Sequence, residues 1–125
     1  MTRILIIEDD RQIREVLKQM LERAGYETDL AADGAEGLRC FRVRPADMVI
    51  TDILMPGKDG LETIDELTRD DPDLPIIAIS GGGPGEKAQF ALEMAQTCGA
   101  RRILAKPFSR KEILAMVHEV LSEKK

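Results

Sequence analysis

Five polar side chains each follow a short apolar run. Glu8 and Asp9 come after Ile4-Leu5-Ile6-Ile7, Asp52 after Met48-Val49-Ile50-Thr51, Ser80 after Ile76-Ile77-Ala78-Ile79, and Lys106 after Ile103-Leu104-Ala105. Branched-aliphatic runs of this length read as buried strands, and Pro56, Gly57 and Gly60 forbid the Asp52 strand from continuing. Each polar group therefore stands at the carboxyl end of a strand, which in an open parallel sheet is the edge where ligands bind. Carboxylates gathered there repel: two about 5 Å apart do so by roughly 3 kcal/mol at an effective dielectric near 20. They need a cation. Oxygen donors with no His or Cys nearby select a hard ion, and a site completed by waters suits Mg²⁺ better than Ca²⁺. With a hydroxyl and an ammonium added, the set is what a transferring phosphoryl group requires, since that chemistry is mostly positioning and charge neutralisation. Asp52 is then the nucleophile and its product an acyl phosphate. Singly, each residue has an ordinary use: Asp9 or Asp10 as a helix cap, Ser80 as a loop hydroxyl, Lys106 as a surface charge. Four separate strands ending in such groups argue instead for a site.

The elements that must position these groups alternate along the chain. Ile13, Val16, Leu17, Met20, Leu21 and Ala24 repeat at helical spacing up to Gly25. Tyr26, Thr28 and Leu30 alternate with acids, as in a half-exposed edge strand. Asp33-Gly34 opens a short helix with Leu38 and Phe41 on one face, closed by Pro45. Leu61, Ile64 and Leu67 mark a third helix that Asp59 could cap. Glu86 to Cys98 reads as a fourth, with Ala88, Ala91, Leu92, Ala95 and Cys98 inward and Gly99 as its stop. Ser109 and Glu112 form a capping box ahead of Ile113, Met116, Val117, Val120 and Leu121. Five strand–helix alternations predict an α/β fold, a flavodoxin-like doubly wound parallel sheet of order 2-1-3-4-5 with five helices, its half-polar second strand at an edge. In that order the first and third strands are central neighbours, so Glu8, Asp9 and Asp52 converge.

Composition narrows the function classes. A chain of 125 residues is expected to be one domain over 1–125, with no repeat or linker. Its charge of −5, with 23 acidic against 18 basic residues, argues against direct nucleic-acid binding. Arg39, Arg42 and Arg44 are the sole local basic excess and read as a solvated helix face. Cys40 and Cys98 lack CxxC spacing and suit a reducing compartment as packing residues. Ile4 to Ile7 is too short for a signal peptide or membrane span, so a cytoplasmic protein without membrane contact is expected.

Taken together, Ile-Ile-Glu8-Asp9, Asp52-Ile-Leu-Met55-Pro56 with Asp59-Gly60, Ala78-Ile79-Ser80 and Ala105-Lys106-Pro107-Phe108 resemble the receiver domain of bacterial two-component response regulators, over essentially the whole chain. The resemblance implies that Asp52 accepts phosphate from a phosphohistidine on a sensor histidine kinase or phosphotransfer protein. It implies Mg²⁺ held by Asp9, Asp52 and the backbone carbonyl of Leu54, with Glu8 acting through a water. Lys106 would pair with the phosphoryl group, Ser80 would hydrogen-bond to it, and the Lys106-Pro107 bond would be cis. Such a domain is a regulatory phosphoacceptor rather than an independent enzyme, read out by a downstream protein that the sequence does not name.

The departures from the family pattern are Glu8 where Asp is more usual and Ile103 where an aromatic often swings inward, which puts the aromatic relay in doubt. The segment from Ser80 to Lys106 is also a few residues long, and its glycines are expected to form a mobile loop. That glycine run lacks the Gly-Lys-Ser/Thr of a nucleotide-binding loop. His118 is expected on the exposed side of the last helix, and Phe90 and Met94 either widen a core contact or form a partner patch. Two other function classes compete: a receiver-like interaction module that works without phosphorylation, and a Mg²⁺-dependent aspartyl-phosphate phosphatase. The second wants an acid two residues after the nucleophile, where this chain has Leu54.

Overall fold

The computed structural model describes residues 2–53, 60–80 and 93–123. The apolar runs become β1 (Arg3–Ile7), β2 (Glu27–Ala31), β3 (Met48–Asp52), β4 (Ile76–Ser80) and β5 (Arg102–Ala105), all parallel, in the order β2-β1-β3-β4-β5. This is the flavodoxin-like sheet that the alternation predicts. Between the strands lie α1 (Arg11–Arg23), α2 (Gly34–Val43), α3 (Gly60–Asp70), α4, which is helical over 93–98, and α5 (Arg110–Glu123).

Side chains alternate across the sheet, so each strand feeds two cores. Ile4, Ile6, Met48, Ile50, Ile77 and Ile79 meet Leu17 and Leu21 of α1 and Ile113, Val117 and Val120 of α5. Leu5, Ile7, Val49, Ile76 and Ala78 meet Leu38 and Phe41 of α2, Ile64 and Leu67 of α3, and Ala95 of α4. Strands β3 and β4 are buried throughout, whereas β2 is half-buried until Ala31, as an edge requires. Gly37 lets α2 sit directly on β1, since a Cβ there would overlap the Ile7 side chain.

Short polar side chains fix the helix starts. Asp10 caps α1 by accepting from the backbone N–H of Gln12 (2.9 Å) and Ile13 (3.2 Å), and Asp33 caps α2 through Glu36 N–H (2.8 Å). The Ser109–Glu112 box closes reciprocally at 2.9 and 3.1 Å. Helices α1 and α4 run out into Gly25 and Gly99, whose φ of +97° and +130° disfavour any side chain.

Two expectations change. The apolar repeat of α1 is wider than the stripe the sheet covers: Leu17 and Leu21 are buried, but Val16 is 47% exposed and Ala24 is exposed as the helix cap. Arg42 is not merely solvated, because it pairs with Asp70 (3.0 Å) and Glu66 (3.9 Å) and so ties α2 to α3. His118 is exposed and Met94 is 37% exposed. The expectations for Asp59 as a cap, for the 81–85 glycine run, and for Ala88, Phe90, Ala91 and Leu92 fall outside the described residues. No described helix is long and apolar enough to cross a membrane.

Candidate functional site

Parallel register brings the chosen residues to one edge. Ile7 pairs with Thr51, so Glu8 stands abreast of Asp52. Asp52 pairs with Ile79 and Ser80 with Ala105, so Ser80 and Lys106 follow one and two steps further along the same rim. The backbone carries the ladder past the strand ends: Glu8 N–H donates to Ala31 O (3.0 Å), Ile53 N–H to Ile79 O (2.9 Å), and Lys106 N–H to Ser80 O (2.8 Å). The Lys106-Pro107 bond is cis, as the resemblance implied.

Glu8, Asp9 and Asp52 each offer a carboxylate oxygen, all within 4.8 Å of one another. Glu8 and Asp52 are 1% and 5% exposed while Asp9 faces solvent, so the group is walled on one side and open on the other. Lys106 Nζ donates to Glu8 Oε1 (2.7 Å) and to Asp52 Oδ2 (3.0 Å), and Asp10 N–H donates to Glu8 Oε2 (3.2 Å). Beside them Ser80 Oγ is buried with no hydrogen-bond partner among the described residues.

The electrostatics are those of a site with too much negative charge. Burial, reinforced by Asp52, raises the Glu8 carboxyl from 4.5 to about 7 against the opposing pull of Lys106. Burial pulls the Lys106 ammonium down, but its bonds to Glu8 and Asp52 outweigh that and leave its pKa above 10.5. One ammonium is shared by two buried carboxylates, with a third at the mouth. An oxygen-only donor set of this kind, open on one side, fits a small hard divalent cation.

All five side chains singled out by the sequence lie at this edge, and the carbonyl of Leu54 falls outside the described residues. Glu8 makes a direct ion pair with Lys106 at 2.7 Å. Two contributors do more than the sequence reading gave them. Arg14 Nη1 donates to the main-chain oxygen of Glu8 (2.7 Å), and its place in the amphipathic repeat of α1 disguised it as a surface cation. Gly60 is more than a strand breaker: its N–H donates to Ile53 O (2.9 Å), and a Cβ there would strike the Asp52 carbonyl oxygen and come 2.5 Å from Ile53 Cα. Ile103 is half-buried and packs against the core shared with α2, α3 and α4.

Beside the rim, α1 and the start of the β5–α5 connection leave a mostly apolar groove of about 520 Å³. It is lined by Gln12, Ile13, Val16, Met20, Lys106, Pro107 and Phe108. This explains the exposure of Val16, which sits in the groove rather than against the sheet.

A family model described as the response regulator receiver domain matches residues 4–118. Response regulator MprA of Mycobacterium sp. (strain KMS) is 36% identical over 119 residues, covering 95% of this chain and 50% of that protein. The chain thus spans about half the length of the curated relatives it matches. A response regulator receiver domain protein from Clostridium thermocellum superposes with a TM-score of 0.89 at 28% identity, covering 99% of this chain and 97% of the other. A CheY-like receiver domain protein from Methanospirillum hungatei JF-1 gives 0.90 at 28% identity, covering 99% and 96%.

Proposed function

The chain belongs to the response regulator receiver domain family of two-component signalling, and from that premise we propose that it is a Mg²⁺-dependent phosphorylation switch with Asp52 as phosphoacceptor. The observation that carries this reading is the bridge from Lys106 Nζ to Glu8 Oε1 and Asp52 Oδ2, beside Asp9 and a buried Ser80 Oγ that has no hydrogen-bond partner among the described residues. Asp9 and Asp52 would hold the ion, with Glu8 through a water and the Leu54 carbonyl completing the protein's share. Mg²⁺ supplies charge neutralisation for the phosphoryl oxygens when bound.

The chain's own groups do the rest. An Asp52 carboxylate oxygen attacks phosphorus, the bond from phosphorus to the donor's imidazole nitrogen breaks with its electron pair returning to that nitrogen, and an acyl phosphate forms as neutral imidazole leaves, its second ring nitrogen already carrying the proton. Lys106 Nζ moves its hydrogen bond from the Asp52 carboxylate to a phosphoryl oxygen, and Ser80 Oγ–H donates to another. Ser80 ends β4 and Lys106 directly follows β5, so both answer the new group from adjacent strands. The output is protein binding, to a partner not identified by this chain's chemistry, with no direct nucleic-acid or membrane contact, in the cytoplasm. The role is regulatory: the domain assists its own phosphorylation and dephosphorylation and acts on no separate substrate.

The phosphodonor is a sensor histidine kinase or phosphotransfer protein. The groove along α1 gives its phosphohistidine face an apolar seat that includes Lys106, next to the acceptor. Incubation with a small phosphodonor and Mg²⁺ followed by intact mass tests the reading. One phosphoryl group should be gained, absent in Asp52→Asn and lost in alkali. An unmodified mass would favour the phosphorylation-independent interaction module.

A further inference from the structure

We propose that Arg14 is a positioning residue for the carboxylate cluster: its guanidinium fixes the main chain of the Glu8-Asp9-Asp10 corner and thereby sets how tightly the site takes Mg²⁺. The inference rests on the Mg²⁺-dependent reading above.

Asp9 is exposed, and its carboxylate makes no hydrogen bond or ion pair among the described residues. Its direction is therefore set by its neighbours in the chain. On one side Glu8 N–H is held by Ala31 O (3.0 Å), and Glu8 O accepts from Arg14 Nη1 (2.7 Å). On the other side Asp10 N–H donates to Glu8 Oε2 (3.2 Å), and the Asp10 carboxylate caps α1. The strand ladder and the helix cap are generic fastenings of a strand-to-helix corner. The Arg14 bond is the side-chain clasp that crosses it, from the second turn of α1 back to the end of β1.

The choice of a guanidinium has an electrostatic reason. Lys106 relieves the carboxylates by occupying Glu8 Oε1 and Asp52 Oδ2, the kind of oxygen that a cation and its waters need. Arg14 is half-buried, has no carboxylate partner among the described residues, and bonds only a carbonyl oxygen. It adds positive charge beside the cluster and leaves every carboxylate oxygen available. A charge-assisted bond of this length is strong enough to hold the corner, and partners that orient metal ligands typically matter 10–100-fold in affinity.

The test is a Mg²⁺ titration of the wild-type protein, Arg14→Ala, Arg14→Lys and Arg14→Gln, read as the shift of the urea midpoint with Mg²⁺ concentration and compared with each Mg²⁺-free midpoint. Arg14→Ala should raise the Mg²⁺ Kd about 10-fold, and Arg14→Lys, which keeps the charge and a donor, should recover most of it. Arg14→Gln keeps a donor alone and should fall between them, which decides the matter if the alanine variant does not fold. Variant Kd values within about twofold of the wild type, whatever the loss of Mg²⁺-free stability, would overturn the assignment and leave Arg14 as a brace of α1. A wild-type midpoint indifferent to Mg²⁺ would overturn the metal reading itself and this inference with it.

Discussion

Replacing Lys106 by Met removes the single ammonium shared by two carboxylates that are 1% and 5% exposed, at 2.7 and 3.0 Å. The methionine fills much of the volume of the lysine stem, so the loss is chiefly of charge. Breaking a buried ion pair on one side costs about 3–5 kcal/mol, and that is the expected loss of stability near pH 8 without divalent ions. The loss must depend on pH. Glu8 has a folded-state pKa of about 7, above its ordinary 4.5, so the folded protein holds a proton that the unfolded chain releases between those values. Stability from this group is therefore full below about 4.5 and is lost as pH rises through about 7. Without Lys106, whose pull lowers the Glu8 pKa, the carboxyl stays protonated to a higher pH still. Just above pH 7 the folded variant keeps a proton that the folded wild type has released, so on going from pH 8 to pH 5.5 its deficit should shrink. Lys106 itself stays charged across this range, because its own pKa lies above 10.5. Saturating Mg²⁺ should return more stability to the variant than to the wild type, since the lysine no longer competes for Glu8 and Asp52. Urea unfolding at the two pH values, with and without Mg²⁺, reads all three terms. A deficit equal at both pH values and untouched by Mg²⁺ would refute the charge account and assign the loss to packing of the lysine stem.

Other perturbations test the surroundings of the cluster. Gly60→Ala puts a methyl group against the Asp52 carbonyl oxygen and Ile53 Cα, backbone that cannot swing aside; a loss of about 1–3 kcal/mol in urea unfolding is expected, with weaker Mg²⁺ binding as β3 is pushed away from α3. Ser80→Ala deletes a buried hydroxyl with no partner among the described residues and should leave Mg²⁺-free stability unchanged or raised by up to about 1 kcal/mol, while slowing phosphorylation by a small phosphodonor. Asp10→Ala removes the cap that accepts from Gln12 and Ile13 and should cost about 1 kcal/mol in the same unfolding assay.

How far the sequence could be read depended on whether a residue's meaning was local. Ile4 to Ile7 and Ile76 to Ile79 are apolar at every position, which in a strand means burial on both faces and hence a central place in a parallel sheet; both are buried in the structure. The half-polar Tyr26 to Leu30 pattern marks an edge, and β2 is one. With the strand order so constrained, register alone delivers Glu8, Asp9, Asp52, Ser80 and Lys106 to one rim. What stayed hidden was long-range. Val16 fits the helical repeat as well as Leu17 does, and only the position of Phe108 and Pro107 decides that it borders a groove. Arg14 looks like any exposed arginine until the turn after β1 presents the Glu8 carbonyl to it. Gly60 signals a turn in sequence, yet its reason for lacking a side chain is the Asp52 backbone eight residues upstream.

The cluster is costly to the fold, and the cost indicates how a switch could be built from it. Two buried carboxylates sharing one ammonium, with a third beside them, would be a poor way to stabilise a sheet, because burial already opposes ionisation of Glu8. The two hydrophobic cores flanking β1, β3 and β4 can tolerate it, being filled by fully buried Ile4, Ile6, Ile7, Ile50, Ile64 and Ile76. On the proposed reading, the favoured arrangement of this rim depends on the cation and anion it holds. Lys106 is held by Glu8 and Asp52, and the Ser80 hydroxyl has no partner among the described residues. A phosphoryl group on Asp52 would change both, since it replaces one of the lysine's acceptors and offers the serine an acceptor. The two residues sit at the ends of adjacent strands joined by Lys106 N–H to Ser80 O, so neither can respond without the other.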